Sequence, residues 1–490
     1  MKILPADVEK EVRALAMPWL ASAAVIVLGS SGAPLLRGFE AAAYFLGVSV
    51  LGGLAIGQEY SHRTLGTFLA LPVRRERMFI VKWSVLAVLL LALDAIMWAS
   101  NAEARAFASH RDTLLLVALP TLCALCVAPC LTMWSRSALA GAVLAGGLPG
   151  TVFVTTQLII YWVTGNVLDE TFILARTTPL VCAIAAVMSW RMFMRLEAIE
   201  GGGRDLRLPA WSSDGIESVT RRNPTWLLIK KEIALQQIPL AIGGVMILGW
   251  MVAMTLRTTV AHITAIFNVL VVSLVLSNAA IIGAVAAAEE RQLGTHEWQL
   301  LLPVPVVRQW LIKVMVAVIL TLGLCVLLPS PLLYFINGPI ATDTAVSLLR
   351  LSFVIGAAVV TALGLYFSSL STSGLRAVVL AVAAIALGVI PGARLASMRN
   401  VSRYTNSFVG QSLDYYGYYA LSANAQTVVL RGVQFTLAAG FIFILLRFGL
   451  TNYRSAAPIG RHLWWQGLVI GLCLSTAAFI LSASSLLGMI

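Results

Sequence analysis

The sequence predicts an all-α, polytopic membrane protein with about 12–13 transmembrane helices, in two tandem six-helix repeats plus an extra C-terminal helix. Three observations predict this fold class: the apolar composition, a series of long apolar runs, and an internal repeat. Of the 490 residues, 59% are hydrophobic and 11% are charged, and the mean hydropathy is +0.89. Soluble proteins average about 45–50% apolar and about 25% charged residues. The composition therefore excludes a water-soluble protein of this size.

Thirteen apolar runs approach the length of about 20 residues that a bilayer-crossing helix needs. They divide the chain into a first six-helix half at 1–194, a polar linker at 195–222, a second half at 223–448, and a C-terminal segment at 449–490. If the short run at 374–391 re-enters the membrane instead of crossing it, the topology after it inverts. The predicted spans are 17–36, 40–57, 79–100, 113–133, 138–163, 172–194, 238–256, 264–288, 311–336, 345–368, 374–391, 428–448 and 463–487.

The charge pattern predicts the orientation of these spans. The chain has 34 basic and 22 acidic residues, and most basic residues fall in alternate gaps between the spans. Because cytosolic loops are enriched in Lys and Arg, these gaps and the polar N-terminus are predicted to be cytosolic. The location that follows is the plasma membrane, the inner membrane of a bacterium. The basic residues form no stripe of the kind that binds nucleic acid, so no nucleic-acid partner is expected.

An internal repeat links the two halves. Eight residues of the segment 59–82 recur, without a gap, 231 positions later in the segment 290–313. Composition alone would give about two identities over this length, so the match indicates a duplicated unit. A weaker echo precedes each half, at Lys10-Glu11 and Lys231-Glu232. The identical pairs are Glu59/Glu290, Thr64/Thr295, Leu69/Leu300, Leu71/Leu302, Pro72/Pro303, Val73/Val304, Arg77/Arg308 and Lys82/Lys313.

The repeated segment is predicted to form a short amphipathic helix on the cytosolic side of the membrane. Leu65, Phe68 and Leu69 share one helical face, and a helix of about three turns is expected to end at Pro72, whose ring cannot continue it. Two pairs of basic residues, Arg77/Arg308 and Lys82/Lys313, mark the return of the chain to the bilayer, where their long side chains are expected to extend to the membrane interface. An interfacial hairpin that only joins two spans is the alternative to a partner-binding role.

These residues resemble the cytosolic coupling-helix region of type-2 ABC exporter permeases. The resemblance rests on the second copy, which contains Glu290, Thr295, Glu297, Trp298 and Pro303, with Arg308 and Lys313 after it. The Lys-Glu stretch before each half is similar to the amphipathic N-terminal helix of those permeases. The two copies differ where Arg63 and Gly66 stand in place of Gly294 and Glu297.

The resemblance implies the transmembrane subunit of an ATP-driven exporter, with ATP and Mg²⁺ bound on two separate ABC ATPase subunits. Because both half-permeases lie on one chain, one copy per ATPase pair is expected. The chain itself is expected to be no enzyme and to hold no cofactor, since none of its six lysines follows a glycine as a P-loop requires. The implied docking residues are Glu59, Thr64, Phe68, Pro72 and Arg77 in the first copy, and Glu290, Thr295, Glu297, Trp298, Pro303 and Arg308 in the second.

Two further features of the spans are candidates for chemistry. Asp94 lies inside the predicted third span, where a carboxylate is costly and therefore a candidate for substrate or proton binding. Cys123, Cys126 and Cys130 share a helical face, but cysteine also packs as a small apolar residue, and no metal site is predicted.

Two other functions remain as alternatives. A secondary transporter driven by an ion gradient would place ionisable residues and broken helices near the membrane midplane, and Asp94 is the one clear carboxylate there. A membrane-embedded enzyme would need converging His, Asp or Glu side chains, whereas the five histidines are scattered along the chain.

Overall fold

The computed structural model describes residues 6–29, 39–61, 64–70, 72–100, 110–147, 156, 160, 170–196, 224–256, 261–302, 304–331, 351–397, 423–455 and 460–486. All regular secondary structure in these residues is helical, in agreement with the predicted all-α class. The chain divides into two compact units, Met1–Gly32 with Leu36–Trp211, and Ala33–Leu35 with Ser212–Ile490. The division at Trp211 falls within the predicted linker. The domain boundaries at 194, 222 and 448 stay predictions.

The first unit contains seven helices among the described residues. The first helix contains Pro18 and runs without a break from the Lys10-Glu11 stretch into the predicted first span. The helices are α1 (Ala6–Gly29), α2 (Phe39–Ser61), α3 (Leu65–Leu69), α4 (Arg75–Ser100), α5 (His110–Ser135), α6 (Ala138–Gly147) and α7 (Glu170–Met194).

The second unit contains nine helices among the described residues. Here the leading helix is separate from the span that follows it, with the break at buried Gln236. The helices are α8 (Pro224–Leu235), α9 (Gln237–Leu256), α10 (Ala261–Gln292), α11 (His296–Leu300), α12 (Val306–Leu320, continued by a π-helical stretch at Thr321–Leu327), α13 (Leu351–Ser368), α14 (Gly374–Ser397), α15 (Ala423–Arg454) and α16 (Gly460–Leu486).

Five helical segments of the described residues are long and apolar enough to cross a membrane. Five shorter apolar helices accompany them, at Ala138–Gly147, Gln237–Ile247, Val354–Ser368, Gly374–Ile385 and Leu463–Ala477. The membrane character predicted from composition is therefore borne out at this level, and the full set of thirteen spans stays a prediction. The five segments are Arg75–Ser100, Val117–Ser135, Ala175–Met194, Val306–Pro331 and Phe435–Arg454.

The helix boundaries around the repeated segment coincide in the two units. Helices α2 and α10 end 231 residues apart, α3 and α11 have the same length and spacing, and the apolar segments Arg75–Ser100 and Val306–Pro331 are both 26 residues long. Each short helix has five residues. The expected length of three turns is therefore wrong, because α2 and α10 extend past Glu59 and Glu290 before the chain turns.

A helix-ending turn sets the direction of each short helix. The Thr295 amide donates to the Glu290 carbonyl at 2.9 Å, and the Gly294 amide donates to the Arg291 carbonyl at 3.1 Å. Gly294 has a φ of 68°, so these bonds form the Schellman motif that commonly ends a helix. In the first unit the Thr64 amide makes the equivalent bond to the Glu59 carbonyl at 3.0 Å.

One glycine in each unit allows two long helices to cross closely. A Cβ on Gly52 of α2 would lie 2.6 Å from the Ala124 carbonyl oxygen of α5. A Cβ on Gly283, 231 residues later on α10, would collide with the Thr361 carbonyl oxygen of α13. Small residues allow such close backbone approach in helices that pack in a membrane.

In each unit an aromatic contact joins the helix that follows the short helix to a helix much later in the chain. Phe79 of α4 packs against Phe193 of α7, with ring centroids 5.1 Å apart. Trp310 of α12 packs against Tyr453 of α15 at 5.5 Å. Phe79 and Trp310 are again 231 residues apart. In each unit the repeated segment therefore makes an aromatic contact with a later helix, and this contact is a further feature that the two units share.

The extra C-terminal helix α16 is held to its unit by buried amide groups. Gln466 accepts a hydrogen bond from the Tyr366 hydroxyl at 2.9 Å and another from the Asn452 amide at 3.0 Å. Its own amide donates back to Asn452 at 3.2 Å. Buried polar groups that satisfy each other in this way fix one packing arrangement of a helix.

Candidate functional site

A buried lysine joins three helices of the first unit. Lys82 of α4 is only 3% exposed, and its ammonium donates to both carboxylate oxygens of Glu11 on α1, at 2.8 and 2.9 Å. It also donates to Glu59 Oε1 on α2 at 3.2 Å and to the Ala55 carbonyl at 3.3 Å. All three charged side chains are nearly excluded from solvent. We call Lys10, Glu11, Glu59 and Lys82 the first lysine cluster.

Three neighbouring groups complete the first lysine cluster. Lys10 donates to Glu59 Oε1 at 3.3 Å, which brings the cluster to two positive and two negative charges. The Gln58 amide donates to Glu11 Oε2 at 3.0 Å, and the Thr64 hydroxyl donates to Glu59 Oε2 at 2.5 Å. A formally neutral, hydrogen-bonded cluster is the form in which charges tolerate burial.

The second unit contains the same arrangement. Lys313 of α12 is 2% exposed and donates to Glu232 Oε1 on α8 at 2.7 Å and to the Ala286 carbonyl at 3.0 Å. It also donates to Glu290 on α10, which accepts a second bond from Lys231. We call Lys231, Glu232, Glu290 and Lys313 the second lysine cluster.

The two clusters correspond residue by residue. The central lysine, the glutamate before the short helix and the carbonyl acceptor are each displaced by 231 positions, whereas the leading Lys-Glu pair is displaced by 221. The weak echo at Lys10-Glu11 and Lys231-Glu232 therefore belongs to the repeat, because each pair contacts the repeated segment of its own unit. The expectation that Lys82 and Lys313 reach the interface is wrong, since the carboxylates hold both ammonium groups inside.

The predicted docking residues separate into buried and exposed groups. Glu59 and Glu290 are 2% and 0% exposed, so their side chains lie in the interior of their units, where each binds a buried lysine. Thr64, Pro72 and Arg77 are exposed in the first unit, as are Thr295, Glu297, Trp298 and Arg308 in the second, where Arg308 donates to the Thr225 hydroxyl at 2.8 Å. The Phe68 side chain and Pro303 lie outside the described residues.

The inner face of α11 carries polar residues that sequence reasoning missed. His296 is buried and packs edge-on against Tyr453, with ring centroids 4.8 Å apart. The Tyr453 hydroxyl donates to Gln299 Oε1 at 3.2 Å, and Gln309 donates to the Gln299 and Val304 carbonyls at 3.1 and 2.9 Å. The positions of His296 and Gln299 at i and i+3 of α11 were the available signal.

The environment of His296 favours its neutral form. Burial lowers the pKa of His296 below its usual value, and the positive charge of Arg291 adds to this effect. Among the described residues, neither ring nitrogen has a hydrogen-bond partner. The first unit has Leu65 at the equivalent position. The second short helix therefore has a buried, neutral imidazole at the position where the first has a half-buried leucine.

Asp94, the predicted intramembrane polar residue, is held by two hydroxyl groups. Tyr44 of α2 and Thr121 of α5 both donate to Asp94 Oδ1, at 2.8 and 2.6 Å. The Tyr44 hydroxyl also lies 2.7 Å from the Val117 carbonyl. These bonds join three helices of the first unit and lower the cost of the carboxylate.

The cysteine-rich face of α5 packs against α7. Cys123 Sγ lies 3.9 Å from Cys182 Sγ, and Cys130 Sγ lies 3.9 Å from the Met192 sulfur. Within the part of the chain that the structure describes, no group of three His, Cys, Asp or Glu residues is placed to hold a metal ion. The cysteines there serve as packing residues of an apolar cluster.

The described residues define an all-helical protein with helices of membrane-crossing length and composition. Comparison of the chain with family models, curated proteins and solved structures finds no match. The functional interpretation therefore rests on the lysine clusters and the short helices.

Proposed function

We propose that the chain is the transmembrane permease subunit of an ATP-driven ABC exporter, with α3 and α11 as its coupling helices. The observation that carries this proposal is the duplicated lysine cluster, which in each unit joins three helices directly beside a short exposed helix. Export would be driven by ATP hydrolysis on two separate nucleotide-binding subunits, which also hold ATP and Mg²⁺. The membrane is the plasma membrane, with the N-terminus and both short helices in the cytosol.

Each lysine cluster is suited to transmit a displacement of its short helix. Glu59 lies in the last turn of α2, and its side chain binds Lys82 in the third turn of α4, so the two helices that flank α3 are joined at one point. Glu11 links this point to α1. Breaking a buried ion pair costs about 3–5 kcal/mol, so a push on α3 would move these helices together.

Two further similarities between the units support the proposed tandem organisation. The matched crossings at Gly52 and Gly283, and the matched aromatic pairs on α4 and α12, support two six-helix halves on one chain. Two halves with one short helix each would bind two ATPase subunits, one at each short helix. The proposed stoichiometry is therefore one chain per ATPase pair, and α16 is an addition outside the duplicated pattern.

Photo-cross-linking in native membranes tests the proposal. A photoreactive amino acid is placed at Ala70 and, separately, at Leu301, which are equivalent, exposed positions just after the two short helices. We expect both to capture a polypeptide with P-loop and other ATPase motifs, identified by mass spectrometry. The matched control is Leu91, which is 63% exposed in the middle of α4 and should capture no such protein.

Two results would contradict the proposal. Capture from Leu91 to the same extent as from Leu301 would mean that the contact is not specific to the short helices. Absence of any ATPase from both Ala70 and Leu301, in membranes where the control reacts with lipid, would remove the exporter function altogether.

A further inference from the structure

The two short helices present different outer surfaces. On α11, Trp298 is 74% exposed and Leu301, just beyond its end, is 77% exposed. The equivalent residues of the first unit, Thr67 and Ala70, are also exposed but are small. Exposed apolar area of this kind is uncommon on a surface that remains in water. Among the side chains that the structure describes, the second short helix therefore exposes more apolar area for a partner to cover than the first does.

Trp298 packs little against the described residues of its own unit, since 74% of it is exposed. The inner face of α11 is formed by His296 and Gln299, which are buried, whereas Glu297 and Trp298 lie on the outer face. Side chains three residues apart share a helical face, so Leu301 continues the outer face from Trp298. A partner could therefore bind this surface without any rearrangement of α11.

The charge beside Trp298 indicates a protein partner. Glu297 is exposed and lies four residues before Leu301, on the same side of the helix. A carboxylate is costly in the acyl region, and the anionic cytosolic leaflet would repel it. An apolar protein cleft with a cation at its rim would accommodate the indole, the leucine and the carboxylate together.

We infer that α11 is the dominant docking element of the chain, with Trp298 as an anchor that enters an apolar cleft of one ATPase subunit beside a cationic rim residue. This inference rests on the proposed function. The first short helix, with Thr67 and Ala70, then needs only a shallow surface on the other subunit. The two ATPase contacts are therefore unequal in strength. Tryptophan is among the residues that most often dominate the binding energy of an interface.

A binding measurement tests the inequality. The full chain is reconstituted in lipid nanodiscs and titrated with the ATPase subunits identified by cross-linking and produced separately. We expect Trp298→Ala to weaken binding about 30-fold or more, Glu297→Gln to weaken it less, and the matched variant Thr67→Ala to change it less than about threefold. Because Trp298 is exposed, yield and thermal stability of Trp298→Ala should equal those of the wild type.

Other results of the binding measurement would separate failure of this inference from failure of the proposed function. If Trp298→Ala and Thr67→Ala weaken binding equally, or if neither does, the inference is overturned while the proposed function stands. A photoreactive residue at position 298 that labels only lipid would also overturn it. If the wild-type chain binds no ATPase subunit, the proposed function fails and the inference fails with it.

Discussion

Lys82 and Glu11 form a two-oxygen ion pair across 71 residues of sequence, with the ammonium 2.8 and 2.9 Å from the two carboxylate oxygens. Both side chains are about 95% or more buried. Lys313 and Glu232 repeat the pairing in the second unit at 2.7 Å. Because burial of an unpaired charge is so costly, each lysine fixes the position of the helix that carries its glutamate.

Removal of a central lysine should destabilise its unit strongly. We expect Lys82→Met, or Lys313→Met, to lower the free energy of unfolding by about 3–5 kcal/mol, because two buried carboxylates lose their shared cation. Thermal unfolding of the purified chain in detergent measures the loss. Lys10→Met is the matched control, since the Lys10 side chain is 57% exposed and its ion pair should contribute less than about 1 kcal/mol.

A double variant separates charge imbalance from lost packing. Lys82→Met combined with Glu11→Leu leaves Lys10 and Glu59 as a balanced pair, so much of the lost stability should return. If the double variant is as unstable as the sum of the two single variants, the cluster does not act as a coupled unit.

Two glycine substitutions, one in the turn before α11 and one inside α9, are expected to have opposite effects on stability. Gly294 has a φ of 68°, a conformation in which a Cβ is strained, so Gly294→Ala should cost about 1–2 kcal/mol. Gly244 lies inside α9, and a Cβ added there would meet no atom of the described residues within 4 Å, so Gly244→Ala should be neutral or stabilise by about 0.5–1 kcal/mol. Chemical denaturation of both variants measures the two signs, and equal effects would contradict the assigned turn.

The neutral His296 should make the second unit sensitive to acid. Burial lowers the pKa of His296 in the folded chain below its value of about 6.5 in the unfolded chain. As the pH falls below about 6.5, the unfolded chain takes up a proton that the folded chain does not, so stability decreases as the pH falls. Melting temperature measured from pH 8 to pH 5 checks this expectation.

The first unit supplies the control for the acid effect. His296→Leu introduces the side chain found at Leu65, and it should remove this part of the pH dependence. The melting temperature at pH 8 should stay nearly unchanged or rise, since the variant replaces a buried imidazole that has no hydrogen-bond partner among the described residues. A pH profile identical to that of the wild type would show that other groups cause the acid sensitivity.

Sequence reasoning predicted the elements that depend on local patterns. The apolar runs indicated membrane-crossing helices, and identities at Glu59, Lys82, Glu290 and Lys313 indicated the duplicated segment. Pro72 correctly indicated a helix break before α4. These features are encoded in residues that are close together in the chain or repeated at a fixed interval.

The contacts of those residues were not predictable from the same patterns. Lysine near the end of a span is usually directed to the interface, and only the packing of α1 against α2 and α4 reveals that Glu11 reaches Lys82. Likewise, His296 and Tyr453 are 157 positions apart and contact each other edge-on. Such pairings depend on tertiary packing, which one sequence does not encode in any local period.

The hydroxyl contacts of Asp94 predict a graded response to substitution. Asp94→Asn keeps an oxygen that can accept from Tyr44 and Thr121, so we expect a loss of less than about 1 kcal/mol. Asp94→Leu leaves both hydroxyl groups without this acceptor, and the expected loss is about 1–3 kcal/mol. Thermal unfolding of the two variants gives the comparison, and equal losses would mean that the hydrogen bonds do not stabilise the first unit.

Asp94 also distinguishes the proposed exporter from a transporter driven by an ion gradient. A carboxylate that carries protons across the membrane must exchange its proton with both sides, whereas the half-buried Asp94 carboxylate is held by Tyr44 and Thr121 within one unit. We therefore expect an imposed pH gradient to decay at the same rate in vesicles containing the wild-type chain and in vesicles containing Asp94→Asn. A pH-sensitive dye enclosed in the vesicles measures the rate. Faster decay with the wild type than with Asp94→Asn would favour the ion-driven alternative, because the difference would then depend on a titratable group in the membrane.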